Sequence, residues 1–350
     1  MNKKEKLAII IDAPNWAFHS VAKLMKKELD DIAQVDIFAL QVPPYNNDLF
    51  LLLEDVKEYE HIHFLWRKSL LDFNSEEFKN KLVERNIDYN KYIKLFSSKI
   101  TTAVYDHMFL NDEKIEEYKD VFNKFSKKYY TSSKKLYNIY NKIKAYPKPE
   151  TTIIDTFDST IFYPINLERF ESINNRPLII GWVGNSGWNS KDGSNIDYKG
   201  LKTILNPVID ELISEGYNIK RNFADRQIKA IPNEEMANYY KDIDLYITCS
   251  YHEGTPRPIL EAIACGVPII ATDVGIVPEV LGSLQSQFII GDRTSTDDNI
   301  IRKNLKNCIK KLYENRDLLK KLSDENIARS KKLDSSNYKK LYYDFFFKND

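Results

Sequence analysis

Residues 245–272 read LYITCSYHEGTPRPILEAIACGVPIIAT. LYITCS is an apolar, β-rich run of strand length, HEGTP is a tight turn, PILEAIAC has helical spacing, and VPIIAT reads as a second strand. Pro258 suits the first turn of the helix, where its missing N–H costs nothing. A strand that feeds a glycine turn into a helix sets backbone N–H groups at the carboxyl edge of a sheet, where anions and nucleotides bind. Glu253 and Glu261 flank the turn in a chain with only 11 glycines. Glu253 stands at the strand end. Glu261, three residues after Pro258, is expected in the first helical turn, its carboxylate able to accept hydrogen bonds from vicinal hydroxyls such as those of a ribose. The purely structural roles, a turn cap and a complement to the helix dipole, are each worth about 0.3–1 kcal/mol.

Working outward, apolar runs alternate with amphipathic stretches along the whole chain. LAIIID (7–12), VDIFAL (35–40), HIHFLW (61–66) and KITTAVY (99–105) read as strands, with helical patterns near 20–30, 76–85, 114–128 and 132–144. A second set comprises PLIIGWVG (177–184), YNIKRNF (217–223), LYITCS (245–250), VPIIAT (267–272) and QFIIG (287–291). Such alternation is the mark of parallel βα units, so the fold class is α/β with two doubly wound sheets in tandem. At 350 residues the chain fits two domains of about 150 residues each. Prolines at 147 and 177 bracket a polar connection. The expected divisions are 1–150, a linker 151–176, a second domain 177–332, and a terminal segment 333–350. In that segment Tyr338, Leu341, Tyr342 and Phe345 share a helical stripe that must dock on something.

Lys plus Arg and Asp plus Glu both number 51, so net charge is zero and no nucleic-acid partner is expected. No apolar run approaches the roughly 20 residues of a membrane-spanning helix. MNKKEKLAIIID is too short in apolar residues for a signal-peptide core, and reads as a first strand of a cytoplasmic protein. Cys249, Cys265 and Cys308 lack metal-ligand spacing and read as free thiols.

Glu253, seven residues, then Glu261, followed by Ala262, Cys265-Gly266, Pro268 and Asp273-Val-Gly-x-x-Pro-Glu279, resembles the retaining GT-B glycosyltransferases of glycosyltransferase family 4. Two further stretches resemble the same family, PNEEMANYYKDIDLYITCS (232–250) and the interdomain IDTFDSTIFYP (154–164). The resemblance is good over 150–282 and weaker over 1–130. It implies two Rossmann-like domains facing a cleft, with the C-terminal helix crossing back toward the N-terminal domain. It also implies an acceptor domain at 1–150 and a donor domain at 177–332 that takes a nucleoside diphosphate sugar. Glu261 becomes the ribose ligand and Glu253 the sugar-facing residue. Gly254, Thr255, Arg257, Pro258 and Ile259 line the donor turn, although Pro256 and Pro258 offer no N–H.

Lys199-Gly200 match the pair with which the family neutralises the diphosphate, and Lys199 is a catalytic candidate. The family's accompanying arginine is absent, with Asn185 or Ser186 near its place. Arg226 and Lys191 are alternative sources of that charge. Stabilising the departing diphosphate is the main electrostatic task of such a reaction. His107, after a first-domain strand, matches a histidine that family members place near the donor sugar, with Asp106 a weaker neighbour. His19 is a candidate for acceptor contact. Asp242-Ile243-Asp244 has the form of a metal-binding D-x-D, but tandem sheets favour an ordinary helix-to-strand junction. No metal or other cofactor is expected.

Finally, 121–149 carries eight lysines and no acid, interleaved with aromatic residues such as Phe122, Phe125, Tyr129 and Tyr130. It reads either as a solvated helix face or as a peripheral contact with anionic lipid at the inner face of the membrane. The function expected is retaining transfer of a sugar to an acceptor hydroxyl on a glycan or lipid-linked glycan, as in bacterial surface polysaccharide synthesis. The alternatives are a sugar-nucleotide epimerase on the same fold and a catalytically silent partner subunit.

Overall fold

In KLAIII, Leu7, Ile9 and Ile11 enter one buried cluster while Ala8 and Ile10 enter another. A pleated strand covered on both faces requires that alternation. The computed structural model describes residues 4–107, 110–171, 176–187 and 196–348 and divides the chain into two units, 1–155 with 335–350, and 156–334.

The first unit is built on β1 (Lys6–Ile11), β2 (Gln34–Ala39), β3 (His61–Phe64), β4 (Ile100–Val104), β5 (Lys128–Thr131) and β6 (Thr151–Thr152). They form a parallel sheet in the order β2-β1-β3-β4-β5-β6, with Leu7 opposite Val35 on one side and His61 on the other. Its helices are α1 (Ala17–Leu29), α2 (Leu49–Val56), α3 (Glu76–Glu84), α4 (Tyr89–Ser97), α5 (Asp112–Asp120) and α6 (Lys134–Tyr140). Side chains of Asp48, Ser75, Asp88, Asn111 and Ser133 accept N–H groups at the starts of α2 to α6. Each such cap is worth about 1 kcal/mol.

The second unit is a parallel sheet of β7 (Leu178–Gly184), β8 (Ile219–Asp225), β9 (Leu245–Thr248) and β10 (Ile269–Ala271), ordered β10-β9-β7-β8. Helices α7 (Asn206–Ser214), α8 (Met236–Tyr240), α9 (Arg257–Ala264), α10 (Val277–Val280), α11 (Asp298–Glu314) and α12 (Asp317–Leu333) accompany it. The chain then re-enters the first unit, where α13 (Lys339–Phe347) inserts Tyr342, Phe345 and Phe346 into the cluster beneath α1. The docked face is therefore not the whole sequence stripe, since Leu341 is exposed and Phe346 takes its place. No helix among the described residues is long and apolar enough to cross a membrane.

Two other readings change. QFIIG forms no strand, only a single bridge from Ile289 to Ala271. The Gln285 side chain takes both backbone groups of Ile269, accepting its N–H at 3.1 Å and donating to its carbonyl at 2.6 Å, which closes that edge of the sheet. The stretch 121–149 is no continuous helix, because KYYT within it is β5. Phe122, Phe125, Tyr129, Tyr130, Tyr140 and Tyr146 are core residues, which leaves the lysines but not these rings for any lipid surface. The cysteines are unpaired thiols, and burial pushes Cys249 and Cys265 up to about 12.

Candidate functional site

The β9 carboxyl end opens into the turn 249–256, and α9 begins at Arg257 with Pro258 in its first turn. Glu261 is thus the fifth helical residue, one residue further in than the sequence suggested and just past the first turn, and it is 6% exposed. Its Oε2 accepts a hydrogen bond from the Tyr240 hydroxyl at 2.9 Å. Burial raises its pKa, with Arg257 and Tyr240 pulling the other way. A carboxylate kept under such cover has few neighbours to serve except a ligand hydroxyl.

Glu253 meets Lys199 directly. Lys199 Nζ lies 2.5 Å from Glu253 Oε1, and the Ser250 hydroxyl donates to the same oxygen at 3.0 Å. Lys199 is held there by close backbone packing. At Gly200, φ is +64°, and a Cβ would lie 2.2 Å from the Cys249 carbonyl oxygen. Arg293, 6% exposed, ties the two segments by donating from Nη1 to the carbonyls of Asp197 (3.0 Å) and Cys249 (2.9 Å). Asp298 grips the same guanidinium through two bonds of 2.9 Å. Asp197 in turn accepts the N–H groups of Lys202 and Thr203.

The turn itself is braced from behind. Gly275 has φ +49°, and a Cβ there would fall 1.8 Å from the Gly254 carbonyl oxygen, which accepts the Ile276 N–H. Within the turn, the Thr255 hydroxyl and Arg257 Nη1 are buried with no hydrogen-bond partner among the described residues. Buried donors left so are costly. Ile259 is buried on α9, where it donates its N–H to the Pro256 carbonyl.

The neighbouring strand ends carry the remaining second-unit candidates. Asn185, after β7, accepts from the Gln227 side chain at 2.7 Å and from the Gly187 N–H at 2.9 Å. Arg226, after β8, is exposed and bonds its N–H to the Gly184 carbonyl. Beside it, Asp225 accepts the Ser186 and Gln227 N–H groups; burial works against its charge, but these bonds hold it below the usual carboxylate range. Lys191 lies outside the described residues.

The structure therefore brings Asn185, Lys199, Arg226, Glu253, Gly254, Thr255, Arg257, Pro258, Ile259 and Glu261 to the carboxyl edge of one sheet. His107 belongs to the first unit, half-buried beyond β4. Its neighbour Asp106 is gripped by Arg67 through bonds of 3.0 and 2.8 Å, a clamp that removes it as a catalytic candidate. His19 accepts the Asn15 N–H at Nδ1, and burial and Lys23 lower its pKa. With Nδ1 accepting that N–H, the proton of the neutral ring sits on Nε2, which can donate to a ligand. In the D-x-D, Asp244 is fully buried against Arg176 with two bonds of 2.7 Å, which leaves Asp242 without a metal-binding mate. Sequence reasoning passed over Tyr240, Ser250, Asp197 and Arg293.

Residues 217–329 match the family model described as glycosyl transferases group 1, a span that holds the whole turn and α9. Among known proteins, Protein CapJ of Staphylococcus aureus is 26% identical over 214 residues, 53% of this chain and 54% of that protein. The O-antigen chain mannosyltransferase B of Escherichia coli is 37% identical over 57 residues, 16% of this chain and 15% of that protein. The chain thus spans about half the length of the first of these relatives and less of the second. Among solved structures, Anabaena Alr3699/HepE in complex with UDP-glucose is similar with a TM-score of 0.61 at 13% identity, covering 97% of this chain and 98% of that one. At that identity the likeness is one of fold, and the fold is GT-B.

Proposed function

We propose that the protein is a retaining glycosyltransferase that moves a sugar from a nucleoside diphosphate sugar to an acceptor hydroxyl during assembly of a bacterial surface glycan. The observation that carries this reading is the turn 253–261: two partnerless buried donors, Thr255 Oγ1 and Arg257 Nη1, beside a buried carboxylate at a parallel sheet's carboxyl edge. The donors suit a diphosphate, and Glu261 suits a ribose. The family match over this span and the likeness to an O-antigen chain mannosyltransferase support it.

In this reading Lys199 exchanges part of its bond with Glu253 for the diphosphate as the sugar leaves. Glu253, so released, faces the sugar. Lys199 and Arg257 offset the charge that develops on the leaving group, so the reaction is proposed to need no metal. The departing phosphate oxygen takes the acceptor's proton on the same face of the sugar, which retains the anomeric configuration. His107 is proposed to contact the donor sugar from the first unit. The place of action is proposed as the cytoplasm. Contact with anionic membrane rests on the exposed lysines of 121–149 alone and would be lost at high salt.

The test is incubation with a panel of nucleotide sugars and glycan acceptors, with NMR of the product. Release of nucleoside diphosphate with a new glycosidic bond of the donor's configuration is the expected outcome. An inverted linkage would refute retention. Conversion of the donor sugar without any acceptor would favour epimerisation, and binding without turnover would favour a silent subunit.

A further inference from the structure

The second unit has a further concavity, ringed by charged side chains, at the opposite, amino edge of its sheet. A cleft of about 440 Å3 there is lined by Arg169, Arg176, Lys220, Arg221 and Lys241, with the carboxylates of Asp242 and Asp244. Strands rise about 3.3 Å per residue, so the length of β7 puts it roughly 20 Å from the donor turn. Two of the guanidinium groups are built into the fold. Arg169, 7% exposed, donates from Nε to the Ile243 carbonyl at 3.0 Å and from Nη1 to the carbonyls of Ile165 (2.9 Å) and Asn166 (2.6 Å). Arg176 is fixed by both oxygens of Asp244 and by the Arg169 carbonyl.

The Arg169 guanidinium stacks on the Phe170 ring, 4.2 Å from its centroid, yet that packing leaves hydrogen-bonding capacity unused. Asp244 is spent on Arg176, lying 3.9 Å from Arg169 Nε at its nearest. Arg221 is matched by Asp210, which is not part of the lining. Arg169 Nη2 remains buried with no partner among the described residues. Burial pulls Arg169 down to about 10, a cost that Asp244 does not fully offset. Lys220 and Lys241 add two further cations, exposed and half-buried respectively, against the single exposed carboxylate of Asp242.

We propose that this cleft is a second anion site, which binds the phosphate group of a small molecule between Arg169, Lys220 and Lys241. Fixed guanidiniums beside lysines that reach solvent are a donor set suited to phosphate recognition. A few hundred cubic ångströms matches a small ligand rather than a polymer. The site is separate from the donor turn and does not depend on the proposed transfer reaction.

Titration calorimetry of inorganic phosphate and pyrophosphate into the full chain, at fixed ionic strength, tests this. Saturable binding is expected in the wild type and in Lys199→Ala/Arg257→Ala, which strips the donor turn of both its cations. Added to that background, Lys220→Gln/Lys241→Gln should weaken it at least tenfold without further change in thermal unfolding, because both substituted side chains reach solvent. Lack of saturable binding in the wild type would overturn the proposal. Equal binding after the Lys220 and Lys241 substitutions, or loss of all binding in Lys199→Ala/Arg257→Ala, would overturn it as well.

Discussion

Glu261 carries a conflict between stability and function. Its folded-state pKa is raised by burial, so the folded chain holds this proton to higher pH than the unfolded chain. Below the ordinary carboxylate range both states are protonated and the position costs nothing. As pH rises from there through the raised value, the folded state acquires a buried charge and stability falls. Glu261→Gln keeps an acceptor for Tyr240 and removes the charge. The variant should melt at a higher temperature than the wild type at neutral pH and show a flatter dependence of melting temperature on pH. A hydrogen bond to a charged group is worth about 1.5–3 kcal/mol, so nucleotide affinity should fall roughly tenfold to a hundredfold. Calorimetric melts across pH and a nucleotide titration check both halves.

At the scale of elements, the site depends on loops that touch through backbone. With the Gly275 Cβ position 1.8 Å from the Gly254 carbonyl oxygen and φ positive, Gly275→Ala must displace the turn 253–256. The expected outcome is a stability loss of about 1–3 kcal/mol and a greater loss of donor affinity, read by urea unfolding and nucleotide titration. Much at this scale was legible in the sequence, because strand, turn and helix of 245–264 are contiguous and their periodicity changes at Gly254. What was not legible lay in long-range partners. Arg293 lies 44 residues from Cys249 and 96 from Asp197 along the chain. Nothing local to it announces the contact. KYYT was concealed by its flanking lysines, although the β-preference of paired tyrosines was the available signal. Glu261 was misplaced by one residue, just past the first turn, because the helix start was judged from Pro258 rather than from the residue before it.

For the whole molecule, the return of the chain into its first unit makes that unit's core non-contiguous in sequence. Phe345 and Phe346, 3% and 4% exposed, pack with residues of β1, α1 and β5. Phe345→Ala should destabilise by about 3–5 kcal/mol. Hydrogen exchange should show the lost protection in β1 to β5 rather than in β7 to β9, since each unit has its own core. The parallel sheets and the two-unit plan could be read from alternating strands and helices. Which aromatic residues of 338–347 face inward could not, because adjacent Phe345 and Phe346 are both buried and only the docked surface decides how far the apolar face extends.

The central claim is that the turn 253–261 holds a nucleoside diphosphate. Thermal unfolding with a panel of nucleoside diphosphates, on wild type and Glu261→Ala, tests it most directly. A ligand at about 100 times its dissociation constant adds roughly 2.7 kcal/mol. The account predicts a clear stabilisation of the wild type by at least one base, and its loss in a folded Glu261→Ala protein. An equal shift in both proteins, or no shift with any base, would contradict it.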